Sequence, residues 1–111
     1  MNQLLFDASI KIVIYIQSNN YNKLNEMNCL ERVSEECIIN TLKDYGGILD
    51  AVNEQEYMKY FQYIQIKNQN RFMTYLDMII DGERSDLTLT CEIELKNDRV
   101  VKILVDDLHV L

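Results

Sequence analysis

From Leu87 to Leu95 every second residue is apolar: Leu87, Leu89, Cys91, Ile93 and Leu95 alternate with Thr88, Thr90, Glu92 and Glu94. A period of two puts one set on each side of an extended chain, so this stretch reads as a strand with one face in a core. Slipping its register by one residue would turn every apolar side chain to water, which ties the strand to one pairing. Asn97-Asp98 follows, a pair that tolerates positive φ and predicts a two-residue hairpin. In the returning strand Val101, Ile103 and Val105 face the core, opposite Lys102 and Asp106. Asp81-Gly82 begins the turn that leads into the first of these strands.

The rest of the chain supplies what packs on that hairpin. Asn2 to Ser18 is mostly apolar, but Gln3, Asp7, Lys11 and Ser18 recur at helical intervals and predict a largely buried helix with one wet side and an Asp7–Lys11 ion pair. Asn19-Asn20 breaks it. Tyr21, Leu24, Met27, Leu30 and Val33 predict a short helix or helical turns. Ser34 before Glu35 and Glu36 predicts a helix start, because a serine cap and first-turn carboxylates satisfy the free N–H groups and the dipole. Ile38, Ile39, Leu42 and Tyr45 are expected on its buried face, and Gly46-Gly47 ends it. Ile48 to Lys59 is ambiguous: Asn53-Glu54-Gln55-Glu56 could cap a third short helix through Phe61, but the segment reads as loop or one turn. Tyr60–Lys67 and Arg71–Ile80 read as strands joined at Asn68-Gln69-Asn70, the second apolar enough on both sides to be central. The expected architecture is a single α+β domain over residues 1–111, with two or three N-terminal helices packed on one face of a three- to four-stranded antiparallel sheet. A sheet curled as in the cystatin-like and NTF2-like folds is one form of it.

Charge narrows the functions open to such a domain. The chain carries 11 basic and 18 acidic residues, a net charge of −7. Of these, residues 81–111 hold 4 basic and 8 acidic side chains, more than half of the excess. An acidic surface opposes nucleic-acid binding, which depends on clustered Lys and Arg. It suits a basic partner. No apolar run approaches the ~20 residues of a membrane span, and Lys11 interrupts the first apolar stretch where a signal peptide would be uncharged, so a cytoplasmic protein is expected. Cys29, Cys37 and Cys91 lack metal-ligand spacing and have one histidine to join them, so they read as buried small hydrophobes in a reducing compartment, with no metal and no cofactor.

Each candidate for chemistry has a plainer explanation. Asp106, Asp107 and His109 cluster in sequence, but strand alternation leaves only Asp107 and His109 on one side. Glu92 and Glu94 share a face at a separation that carboxylate hydrolases use, yet nothing in the sequence builds a cleft around them. Ser85 has no nucleophile elbow, and Arg84 reads as a local ion pair with Glu83 or Asp86. The expectation is a non-enzyme with no catalytic residues. Tyr57, Tyr60, Phe61, Tyr63, Phe72 and Tyr75 are mainly core, with one or two available as anchors beside the carboxylates.

Gly82-Glu83-Arg84-Ser85-Asp86-Leu87-Thr88-Leu89 and Val105-Asp106-Asp107-Leu108-His109-Val110-Leu111, with Tyr45-Gly46-Gly47 upstream, resemble a family of small uncharacterised bacterial proteins that end in this way. In size and charge the chain is also similar to immunity proteins of contact-dependent inhibition and polymorphic-toxin systems. That likeness implies an acidic single domain that binds and neutralises a basic toxin domain, such as a nuclease. Asp86, Glu92, Glu94, Asp107 and Tyr75 are the expected contacts. The alternatives are an NTF2-like small-ligand protein or enzyme, with a cavity lined by Tyr63 and Tyr75, and a homo-oligomeric structural or regulatory subunit.

Overall fold

Strand pairing follows sequence order. The computed structural model describes residues 2–67 and 69–110, and its strands β1 (Phe61–Gln65), β2 (Arg71–Ile80), β3 (Glu83–Lys96) and β4 (Arg99–Val110) form one sheet of order β1-β2-β3-β4, antiparallel throughout. Between β3 and β4, Asn97 and Asp98 take φ of 52° and 59°, the doubly left-handed turn whose twist matches the flanking strands. Asp81 and Gly82 do the same between β2 and β3, at 53° and 78°. The predicted turn at Asn68 and the terminal Leu111 lie outside the described residues.

The helices α1 (Asn2–Gln17), α2 (Tyr21–Glu26), α3 (Glu35–Tyr45) and α4 (Glu54–Met58) precede the sheet and pack on one face of it. The expected α+β architecture is therefore the observed one. α1 buries Leu5, Phe6, Ala8, Ile10, Ile12, Val13 and Ile16 against Phe72, Leu76, Leu89, Cys91, Ile93 and Val105 of the sheet's inner face. Its wet side is the expected one, but Asp7 accepts from Gln3 Nε2 at 2.7 Å instead of meeting Lys11. Asn19, at φ 58°, ends the helix.

Two expectations about α3 change. Ser34 Oγ accepts from Cys37 N as the predicted cap of α3, yet only Ile38 of that helix is fully buried. Ile39 and Tyr45 are 40% and 38% exposed, because α3 meets the sheet near β4 along one narrow stripe. Cys37 is exposed as well, unlike Cys29 and Cys91. α4, five residues capped by Asn53 accepting from Glu56 N, is the short turn of helix that the sequence allows between Ile48 and Lys59.

One polar contact lies in the centre of the core. Ser9 Oγ of α1 and Thr74 Oγ1 of β2 are 3.0 Å apart, both side chains buried. Neither hydroxyl has water to return to, so the pair fixes the rotation of α1 over the sheet. Ser9→Ala should cost about 1–3 kcal/mol by leaving Thr74 unpaired, and adding Thr74→Val should recover much of that loss. Denaturant titration of the single and double variants checks this.

Burial also couples the thiols to stability. It pushes Cys29 up to about 11, with Lys11 opposing, and Cys91 up to about 12. A thiol ionises near 9.0 when unperturbed. Above that pH the unfolded chain loses thiol protons that the folded chain keeps, so this contribution to stability is complete below pH 9 and lost as pH rises through the folded values. Urea midpoints measured between pH 8 and pH 10.5 should fall, and fall less steeply in Cys91→Ala than in the parent.

Candidate functional site

Register places the outer face of the sheet, away from the helices, as a lattice of cross-strand rows. Asp77, Thr88 and His109 form one row; Gln62, Tyr75, Thr90 and Asp107 the next; Ile64, Met73, Glu92 and Leu104 the third; and Arg71, Glu94 and Lys102 the last. Four of the residues expected to contact a partner, Tyr75, Glu92, Glu94 and Asp107, thus share this face. Tyr75 and Asp107 flank Thr90 directly.

The two ends of the lattice differ in charge. Glu92 is only 13% exposed and lies between two arginines, with Arg32 Nη1 3.2 Å from Oε1 and Arg71 Nη1 3.3 Å from Oε2. Arg32 comes from the loop after α2, which passes the β4 edge where Val105 N donates to Cys29 O. It also contacts Asp106 at 3.0 Å, and the two carboxylates together hold its guanidinium above its ordinary pKa, the Glu92 hydrogen bond most. Glu94 stands between Arg71 and Lys102 in register. Of the acidic pair read from Glu92 and Glu94, Glu92 is therefore held by ion pairs, whereas Glu94 has cations beside it in register and forms no ion pair among the described residues. At the opposite end Asp77 and Asp86 line one recess with Arg84, Asp50 and Asp81 bond backbone groups around the turn after β2, and Asp107 stands in the row next to Asp77.

Arg84 does not pair with Glu83 or Asp86 as the sequence suggested. Its Nε and Nη2 both reach Asp77 Oδ2 at 2.8 Å, across the hairpin, and its guanidinium lies 4.7 Å over the Tyr60 ring. Asp77 Oδ1 accepts from Thr88 Oγ1 at 2.8 Å. Asp86, exposed, accepts from Tyr45 Oη at 2.7 Å, and this bond holds the Tyr45 hydroxyl above its ordinary pKa. Asp77, Arg84, Ser85, Asp86 and Thr88 line a shallow recess of about 370 Å³.

Thr88 and Thr90 do not face solvent as alternation alone implies: they are 1% and 4% exposed. Both stand on the interior strand, below the larger side chains of Tyr75 and Asp77 on one side and Leu104, Asp107 and His109 on the other. Asp107 and His109 do share a side. His109 Nδ1 is 3.1 Å from Asp107 Oδ2, but the geometry makes no hydrogen bond and Nδ1 has no hydrogen-bond partner among the described residues. The cavity expected for a small ligand between Tyr63 and Tyr75 does not form, since Tyr63 pairs with Thr74 and packs against Phe61 and Phe72 on the inner side, while Tyr75 is on the outer.

The sequence segments that stand out most have an architectural role. Register shifts between Asp77 and Ile79, so that Ser85, Asp86 and Leu87 all lie opposite Met78. The freed backbone groups are taken by side chains: Ser85 Oγ donates to Met78 O at 2.6 Å and accepts from Leu87 N at 3.2 Å, and Ile79 N donates to the buried Tyr57 Oη at 3.1 Å. The chain after α3 docks on this irregularity. Ile48 N donates to Asp81 Oδ1, Asp81 N to Ile48 O, Asp50 N to Ile79 O and Gly82 N to the Asp50 carboxylate. Tyr45-Gly46-Gly47 and Asp81-Gly82 through Leu87 thus form one lock, and no periodicity argument could have joined residues so far apart in sequence.

An open four-stranded antiparallel meander with helices on one face and a charge-divided outer face defines a small α+β domain. Residues 13–111 match a family described as a domain of unknown function (DUF7668), and the chain belongs to that family. No curated protein and no solved structure matches it.

Gly46 and Gly47 test the lock. Both have positive φ, 86° and 80°, but a Cβ on Gly46 meets open space whereas one on Gly47 would lie 2.6 Å from Ile80 Cγ2 and 2.7 Å from Asp81 Oδ2. Gly46→Ala should cost about 1–3 kcal/mol through backbone strain alone, and Gly47→Ala should cost more. Equal melting temperatures for the two variants would contradict the packing.

Proposed function

We propose that this domain is an immunity protein, which binds a basic toxin domain in the cytoplasm and blocks it through the acidic end of the outer sheet face. The observation that carries this reading is the separation of charge on that face. Glu92 is held by Arg32 and Arg71, and Glu94 has Arg71 and Lys102 beside it in register, while Asp86 and Asp107 are exposed towards the end where Arg84 is already paired with Asp77. A field of one sign steers an oppositely charged partner and speeds encounter, and a few packed groups set how long the complex lasts.

The assignment of contacts shifts accordingly. Asp86 and Asp107 supply the long-range attraction, and Tyr75, half-buried at the centre of the lattice, is the anchor. Glu92 organises the face by holding two arginines, and Glu94 contributes less because cations flank it. Neutralisation by occlusion needs no reaction on this chain.

The test uses the toxin domain encoded in a neighbouring reading frame. Co-expression of the full chain should rescue growth, and Asp86→Lys with Asp107→Lys should slow association at least about tenfold at low salt and flatten its dependence on ionic strength. Glu94→Lys should have a smaller effect. A neighbourhood without a toxin gene, or unchanged association in the double variant, would overturn the reading.

A further inference from the structure

A second surface lies at the β4 edge, away from the acidic end of the sheet. There α1, the segment after α2 and the first half of β4 enclose an open groove of about 430 Å³, with an apolar lining from Leu4, Ala8, Met27, Val100 and Ile103. Cys29, fully buried, forms part of its wall. Val101, 51% exposed, stands at its mouth.

The rim carries two cations, Lys11 and Lys102, beside the carboxylates of Asp7 and Glu31. Lys11 is exposed beside the groove and forms no ion pair among the described residues. Its ammonium is near enough to Cys29 to oppose the effect of burial on that thiol. Lys102 reaches Glu31 only at 3.7 Å, both side chains about half exposed. Asp7, which also lines the groove, has one oxygen occupied by Gln3. The groove thus offers an apolar trough with a cation at its edge.

Its form decides between kinds of occupant. An added β-strand would need a continuous row of free N–H and C=O groups along β4. That edge is interrupted: register shifts between Thr90 and Cys91 and between Glu94 and Leu95, and Val105 N is already given to Cys29 O. The volume falls in the ~300–1,000 Å³ range of small-molecule sites. We infer that the groove binds a small amphipathic anion, an unbranched or aromatic carboxylic acid whose apolar body lies along Leu4, Ala8, Met27 and Ile103 and whose carboxylate meets Lys11.

Decanoate, held below its micellar range, is the probe, and decan-1-ol is its uncharged counterpart. Titration into the ¹⁵N-labelled full chain should give saturable shifts at Leu4, Ala8, Lys11, Met27 and Val100–Ile103, with the alcohol binding about tenfold more weakly. Lys11→Glu, at an exposed position that the fold does not depend on, should weaken decanoate by at least about tenfold and leave the alcohol unchanged. Ala8→Phe should weaken both by filling the trough, with its thermal melt reporting that it folds. Shifts centred on core residues such as Phe6 and Leu89, no saturation, or equal decanoate affinity in Lys11→Glu would overturn the assignment. Asp86→Lys should bind decanoate like the parent, so this site and the toxin-binding reading stand or fall separately.

Discussion

The shape of this domain depends on how the irregularity between β2 and β3 is closed. Three residues of β3 lie opposite Met78 of β2, which frees backbone groups in a region that water does not reach. An unpaired buried N–H or C=O costs about as much as a lost hydrogen bond or more. Ser85 and Tyr57 meet that demand from two directions. Because Tyr57 belongs to α4, the short helix is held to the sheet by a hydrogen bond as well as by packing. The segment after α3 then seals the turn through Asp81 and Asp50. One local defect in pairing therefore ties together α3, α4 and the central hairpin.

The outer face shows how one acidic sequence can give a surface of mixed character. Carboxylates adjacent in the chain have different surroundings in the fold: Glu92 sits between two guanidinium groups, Asp106 meets one of them, and Asp107 lies beside His109. Net charge predicts the sign of the field around the molecule but not which carboxylates produce it. The candidate contacts separate on this basis into Asp86 and Asp107, available to a partner, and Glu92, engaged within the chain.

Local rules made much of the fold legible. Alternation in β3, the Asn97-Asp98 turn, the Ser34 cap and the wet stripe of α1 each depend on residues within a few positions of one another, and each appears as read. What depends on distant residues was not legible. Arg32 lies 60 positions from Glu92, so the compensation of that carboxylate has no sequence signature. The burial of Thr88 and Thr90 comes from the neighbours that pairing gives them. α4 has five residues, too few for a periodic pattern, and Asn53 before Glu54 was its one available signal. In the conspicuous Tyr45-Gly46-Gly47 and Gly82–Leu89 segments, Gly47, Gly82, Ser85 and Leu87 serve the lock, and Asp86 is exposed.

The order of elements along the chain has a consequence for how the domain is made. α1 is among the most apolar parts of the molecule, and besides α2 and α4 it packs on β2, β3 and β4, strands that follow it by more than fifty residues. On the ribosome that helix is synthesised before any of its sheet partners exist, and β4, which carries Ile103, Val105 and Leu108, comes last. The meander itself needs only neighbouring strands and can assemble quickly from short-range hairpins. Completion of the domain is thus gated by the wait of one greasy helix for a sheet not yet translated, which makes the nascent chain, more than the finished protein, the form that needs protection from aggregation.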